Sequence, residues 1–269
     1  MDNSFTSEFN NLYKQRGFIS VAEKPLSLPY VCSNQKVCWK DTNSIPEDDP
    51  SHTAIYDPWI GPRFGELRLV IVGINLNQDG GRNEMNTLVK IAISEIRNGH
   101  KRVSFGNKKK KYGGTLLFHR VGAYAAFYAR AAGLLHFDAL ADGFPDSKFV
   151  VAGFDFIAYT NHIKCSPTSK GSKPTLEMWK SCGRHVLRQE LELLQPNKIL
   201  VLGKDNYVHF VENVFDQPVQ VFPSGSNIQK MRANLANKLI HVIGVPHPQS
   251  RGYHVRNVFA DLCKELGTC

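Results

Sequence analysis

Four short apolar runs, each stopped at its carboxyl end by glycine or polar residues, constrain the fold more than any other feature. They are LRLVIVG (Leu67 to Val72, then Gly73), FDFIAYTNHI (ending at Ile163), NKILVLG (Lys198 to Leu202, then Gly203) and KLIHVIGV, which runs into Pro246-His247-Pro248. All are rich in β-branched residues and too short for buried helices, so each reads as a strand buried on both faces. Helical spacing fills the intervals. Leu88, Ile91, Ala92 and Ile96 share one face of EMNTLVKIAISEIRN, and an Ala-rich helix lies in TLLFHRVGAYAAFYARAAGLL. A third helix is predicted from about Pro174 to Leu194, NYVHFVENVF gives a short fourth, and VRNVFADLCKEL closes the chain. Strands that alternate with helices pair in parallel and are covered on both faces. The expected fold is therefore α/β: a three-layer α/β/α arrangement around a mainly four-stranded parallel sheet.

In such sheets ligands bind beyond the carboxyl ends of the strands. Asn75, Asn161 and His247 each follow a strand at that end. The predicted division is an N-terminal segment over residues 1–66 and an α/β/α domain over 67–269, the two forming one compact unit. The connection from Asp41 to Gly65 reads as an ordered loop wrapped over the domain, because Tyr56, Trp59 and Phe64 would anchor it.

Lys and Arg number 33 against 24 Asp and Glu, a net charge of +9 that favours a polyanionic partner. The run Lys108-Lys109-Lys110-Lys111 is either a solvated loop or a phosphate contact, and Arg251 is a further candidate for the latter. The N-terminus lacks the apolar core of a signal peptide, and no apolar run approaches the length of a membrane span. These features lead us to expect a cytoplasmic protein with no membrane partner, monomeric and with reduced thiols. Six cysteines are then metal ligands or free thiols rather than disulfides. Cys32 and Cys38 lie in YVCSNQKVCWKD, Cys165 closes the second strand, and Cys182 lies in the helix that follows. Four thiolates so placed would satisfy either Zn²⁺ or a [4Fe–4S] cluster. Cys263 and Cys269 are left as free thiols.

The stretch AYTNHIKCSPTSKGSKPTLEMWKSC carries Thr160-Asn161, Lys164-Cys165, Lys173-Pro174-Thr175 and Cys182 in order. It resembles the centre of the uracil-DNA glycosylase superfamily, in particular its iron–sulfur branch. Gly73-Ile74-Asn75 resembles the first motif of the mismatch-specific members, with Leu76 and Asn77 where they carry Pro and Gly. His247-Pro248 resembles the second motif, with Gln249 where Ser is usual. The C-x5-C spacing of Cys32 and Cys38 is wider than in the family.

The resemblance implies a [4Fe–4S] cluster, with Zn²⁺ as the alternative, on Cys32, Cys38, Cys165 and Cys182. It implies that Asn75 orients the water attacking the sugar and that His247 donates to uracil O2. Asn161 would read the base, and Phe118, or failing that Tyr124, would stack on it from just before the Ala-rich helix. Gly73 and Ile74 would border the substrate. The implied activity is excision of uracil from DNA. Two alternatives are a non-catalytic iron–sulfur DNA-binding protein of the same fold and a glycosylase for hypoxanthine or xanthine. On the residues alone, Phe118 and Tyr124 are equally readable as core, and His247 as a surface residue between prolines.

Overall fold

The computed structural model describes residues 3–15, 19–20, 30–31, 38, 54–55, 58–74, 85–99, 114–138, 145–164, 174–216, 218–222, 228–248 and 255–266. The chain opens with α1 (Asn3–Gln15) and three two-residue strands, β1 (Ile19–Ser20), β2 (Tyr30–Val31) and β3 (Ala54–Ile55), which form a small antiparallel sheet. Then come β4 (Trp59–Ile60), α2 (Phe64–Leu67), β5 (Leu69–Gly73), α3 (Met85–Arg97), α4 (Gly114–Ala131) and α5 (Ser147–Gly153). Next are β6 (Ile157–Asn161), α6 (Leu176–Cys182), a π turn (Gly183–Leu187), α7 (Arg188–Leu194), β7 (Lys198–Leu202) and α8 (Lys204–Val214). The chain closes with β8 (Pro218–Phe222), β9 (Gln229–Leu235), β10 (Lys238–Val245) and α9 (Val255–Leu266).

The main sheet has the order β4-β6-β5-β7-β10-β9-β8. Its centre, β6-β5-β7-β10, is parallel throughout, as the strand–helix alternation predicts. Antiparallel strands flank it. β9 and β10 form a hairpin through Ala236 and Asn237, both in the left-handed region (φ 47° and 65°), which the hairpin turn requires. β4 pairs with β6 on the other edge, so Trp59 and Ile60 form a strand where the sequence suggests a wrapping loop. Trp59 is anchored there, its indole N–H donating to the Phe154 carbonyl at 3.1 Å.

Side chains alternate between two cores, one on each face of the sheet. Leu69 and Ile71 of β5, Leu200 and Leu202 of β7, and Ile243 and Val245 of β10 face α3, α4, α5 and α9. Val70 and Val72, Ile199 and Val201, and Ile240 and Val242 face α1, the π turn, α7 and α8. Leu69 to Val72 are inaccessible on both faces. Burial of each such side chain contributes about 1.5–3 kcal/mol, which explains why these runs show no polar alternation. Helix α1 is integral to the second core, through Phe9, Leu12 and Tyr13.

Two helices on the first face meet backbone to backbone. A Cβ on Gly153 of α5 would lie 2.3 Å from the Gly122 carbonyl of α4, and one on Gly122 would lie 2.5 Å from the Val150 carbonyl. Neither position has room for a methyl group. The helix predicted from Pro174 to Leu194 is interrupted by the π turn, where the backbone widens beside His162 and Asn213. Among the described residues no helix is long and apolar enough to cross a membrane.

Candidate active site

The register of the parallel strands brings their carboxyl ends level. Gly73 lies opposite Asn161, Val72 opposite Val201, and Leu202 opposite Val245. Two further bonds continue the β5–β6 ladder past the strands: His162 N–H to the Gly73 carbonyl at 2.9 Å and Ile163 N–H to the Ile74 carbonyl at 2.8 Å. Gly73, Ile74, Asn161 and His247 therefore share one edge, as the sequence leads one to expect. Asn75 lies outside the described residues.

Asn161 is the notable member. It is 5% exposed, and among the described residues its Oδ1 has no hydrogen-bond partner. An open acceptor in a buried position costs about 1–3 kcal/mol, so natural proteins seldom leave one without a use. The space it occupies exists because residue 73 is glycine. A Cβ there would lie 2.4 Å from Asn161 Oδ1 and 2.7 Å from the Tyr159 hydroxyl. Tyr159, two residues before Asn161 on the same strand face, is thus a border residue that motif reading misses. The period of two along β6 is the signal that places it.

His247 comes from the far side of the edge. A Cβ at Gly203, whose φ is +102°, would be 3.5 Å from His247 Cβ and 3.6 Å from Ile74 Cδ1. Hence the ends of β5, β7 and β10 converge on one point. Burial, and then the Arg120 guanidinium, hold the His247 pKa below the usual imidazole value. The side chain is neutral near pH 7 and suited to donating a hydrogen bond rather than a proton. Arg120 is a second residue that sequence reading misses, although it is a cation within the largely apolar helix α4.

Phe118 requires a correction of position. It lies inside α4 rather than before it, is 4% exposed, and meets Tyr159 edge-on at 5.8 Å between centroids. Its ring also lies 6.5 Å from that of Phe154. Phe118 therefore packs against Tyr159 within the core. Tyr124 is fully buried in the same core.

Directly behind the edge, His162 is fully buried. The Asn206 amide donates to the Val72 and Leu202 carbonyls at 3.3 and 3.2 Å, which leaves its oxygen to accept from His162 Nδ1 at 3.0 Å. Burial, outweighing that bond, pushes the His162 pKa down to about 3, so the ring is neutral. It packs edge-on against Trp179 and Phe210. This unit ties the ends of β5, β6 and β7 together.

Two of the four expected ligand cysteines lie within the described residues, and they share one place. Cys38 and Cys182 are buried in a small cluster with Ile163, Met178 and Trp179. Thr175 joins them: its hydroxyl accepts from Met178 N–H at 3.2 Å, capping α6, and donates to the Cys38 carbonyl at 2.9 Å. Burial raises the Cys38 thiol pKa. Two thiols lie in one apolar cluster with Ile163, which precedes Cys165 by two residues along the chain, and thiols are the donors that a thiolate-bound metal centre would use. Among the described residues no group of three or more potential ligands comes together. Cys32, Cys165, Cys269, Lys108 to Lys111 and Arg251 lie outside them, as does the Cys263 side chain.

The three layers and the parallel centre define an α/β/α domain with polar residues gathered at the carboxyl edge of its sheet. The family model of the uracil DNA glycosylase superfamily matches residues 124–266, more than half of the 269-residue chain, and the protein belongs to that superfamily. No curated protein matches the chain. Members of the superfamily are generally glycosylase hydrolases acting on DNA.

Proposed function

We propose that the protein excises uracil, or a closely related deaminated base, from DNA by hydrolysing its N-glycosidic bond. The observation that carries this reading is the buried Oδ1 of Asn161 at the carboxyl edge of the sheet, which has no hydrogen-bond partner among the described residues. A carboxamide offers a donor and an acceptor side by side, which matches uracil O4 and N3–H together. With the amide in that orientation, cytosine, with an amino group and a bare N3, would leave both unmatched at considerable cost.

In this reading the base leaves the helix stack to reach the pocket, which favours mismatched or single-stranded sites. His247 donates to O2 as negative charge develops on the departing base. One such donor supplies about 3 kcal/mol at the transition state, and a neutral imidazole suffices. Asn75 has no useful basicity, so it orients a water against the sugar carbon by proximity. Gly73 and Ile74 border the base, with Phe118 supporting Tyr159 behind it. Lys108 to Lys111 and Arg251 contact phosphates. Cys32, Cys38, Cys165 and Cys182 hold a [4Fe–4S] cluster, or Zn²⁺ in its place. When bound, such a centre cross-links the N-terminal segment to the β6–α6 connection.

The test is a duplex carrying one uracil opposite guanine, assayed for an abasic site in single turnover, with inosine in a parallel arm. Uracil release supports the proposal, and release from inosine alone reassigns the base. Duplex binding without release of any deaminated base would instead mark a non-catalytic DNA-binding member.

A further inference from the structure

The side of β6 away from the site holds a buried ionic network that neither the motifs nor the reaction use. Glu190 of α7 is wholly inaccessible. Its Oε1 accepts from the Tyr13 hydroxyl of α1 at 2.6 Å. Its Oε2 accepts from the Thr160 hydroxyl at 2.9 Å and from Lys164 Nζ at 2.5 Å. Lys164 Nζ also donates to Thr160 Oγ1 at 2.7 Å. The lysine side chain is 3% exposed, so the pair is fully desolvated.

Such pairs seldom add net stability over apolar residues of similar size, and their best-attested use is to fix one arrangement among several. Here the arrangement fixed is that of Asn161. Thr160 precedes it and Lys164 follows three residues later, so the carboxylate grips the chain on both sides of it. The Asn161 side chain projects to the opposite face, where among the described residues nothing holds its Oδ1. Its aim is therefore set by its backbone, and the backbone is clamped from behind.

We infer that Glu190, held by Tyr13 of the N-terminal helix, is a positioning residue for Asn161. It sets the angle at which the carboxamide meets the base. This rests on the glycosylase reading above, in which Asn161 contacts the substrate. Misplacement of a contacting group by about 1 Å can slow a reaction on the order of a hundredfold, and loss of one hydrogen bond to the clamp should displace it less.

The experiment is a double-mutant cycle. Tyr13→Phe keeps the ring and removes one hydrogen bond to Glu190. In the full-length protein it should slow uracil excision about tenfold while affinity for abasic DNA stays within twofold. In an Asn161→Ala background it should slow residual excision no further, because the group it positions is gone. Leu235→Ala, a core substitution at a distant strand, controls for lost stability and should leave the rate of the folded protein unchanged. The side-chain amide resonance of Asn161 gives a readout independent of activity: it should shift or broaden in Tyr13→Phe and stay put in Leu235→Ala. Equal slowing by Tyr13→Phe in both backgrounds, or an unmoved Asn161 resonance, would overturn the inference. If the wild-type protein releases no base, the glycosylase reading fails, and the resonance alone then decides whether Tyr13 positions Asn161.

Discussion

Thr160 and Asn161 are neighbours on β6, both nearly inaccessible, and they point to opposite faces of the same sheet. The Thr160 hydroxyl donates to a carboxylate and accepts from an ammonium, inside a network that reaches helix α1. The Asn161 oxygen is answered by none of the described residues. Both groups lost water on folding. One recovered its hydrogen bonds within the protein, whereas the other finds none among the described residues, which under the proposed reading leaves it for the base. The difference separates, at adjacent positions of one strand, a polar residue that holds the fold from one that, in the proposed reading, meets the substrate.

Removal of the acid from the first region should have the largest effect. Glu190→Ala takes the carboxylate partner from the buried Lys164, and should lower the unfolding free energy by about 3–5 kcal/mol in urea titrations. Pairing Glu190→Leu with Lys164→Met should restore most of that loss. A loss under about 1 kcal/mol for Glu190→Ala would mean that water reaches the pair.

The second region should respond in rate instead. His247→Ala should slow single-turnover excision by about 10²–10³-fold, with abasic DNA bound nearly as before, because its contact strengthens mainly at the transition state. Full activity in this variant would remove His247 from the site.

Acid should affect the two regions through the rings behind them. A histidine buried neutral contributes stability that is complete above its unfolded pKa near 6.5 and is lost as pH falls toward the folded value. For His162, with a folded pKa of about 3, the loss is about 1.4 kcal/mol per pH unit across that window. His241 and His247 are shifted in the same direction. Unfolding followed from pH 7 to pH 5 should steepen accordingly, and His162→Leu should flatten the slope by about one proton. An unchanged slope would show that the ring is already protonated or wet in the native protein.

The smallest effect sharpens the comparison most. Asn161→Leu should abolish uracil excision yet change stability by less than about 1 kcal/mol, since it removes an acceptor that no described residue answers. A fall of more than about 2 kcal/mol would mean that the carboxamide is satisfied within the protein.

The parallel centre of the sheet was legible because its strands are apolar runs with period and length that only buried strands share. Their carboxyl ends, with Gly73, Asn161 and His247, followed directly. The edge strands were harder. β4 is two residues long, too short to show alternation, whereas β9, QKMRANL, does alternate buried Met231, Ala233 and Leu235 with the more exposed Arg232 and Asn234, a period of two that passed unread. The π turn leaves no mark either, because the helical period on both sides of it is nearly continuous. Phe118 was misplaced because an amphipathic start and a loop end look alike in GTLLFHR. Glu190 was beyond reach for another reason: its partner Tyr13 is 177 residues away, and no spacing rule connects them.

The contact between Gly122 and Gly153 has a consequence for the site. Helix α4 carries Phe118 and Arg120 toward Tyr159 and His247, and Gly122, one turn on from Phe118 along the same face, sets how closely that face approaches α5. The two glycines act as a spacer of zero thickness. One added carbon at either would wedge α4 away from α5 and shift the face that carries Phe118 against Tyr159. Gly122→Ala and Gly153→Ala are therefore mechanical adjustments of that packing, which under the proposed reading would alter excision without replacing any group assigned to contact the base.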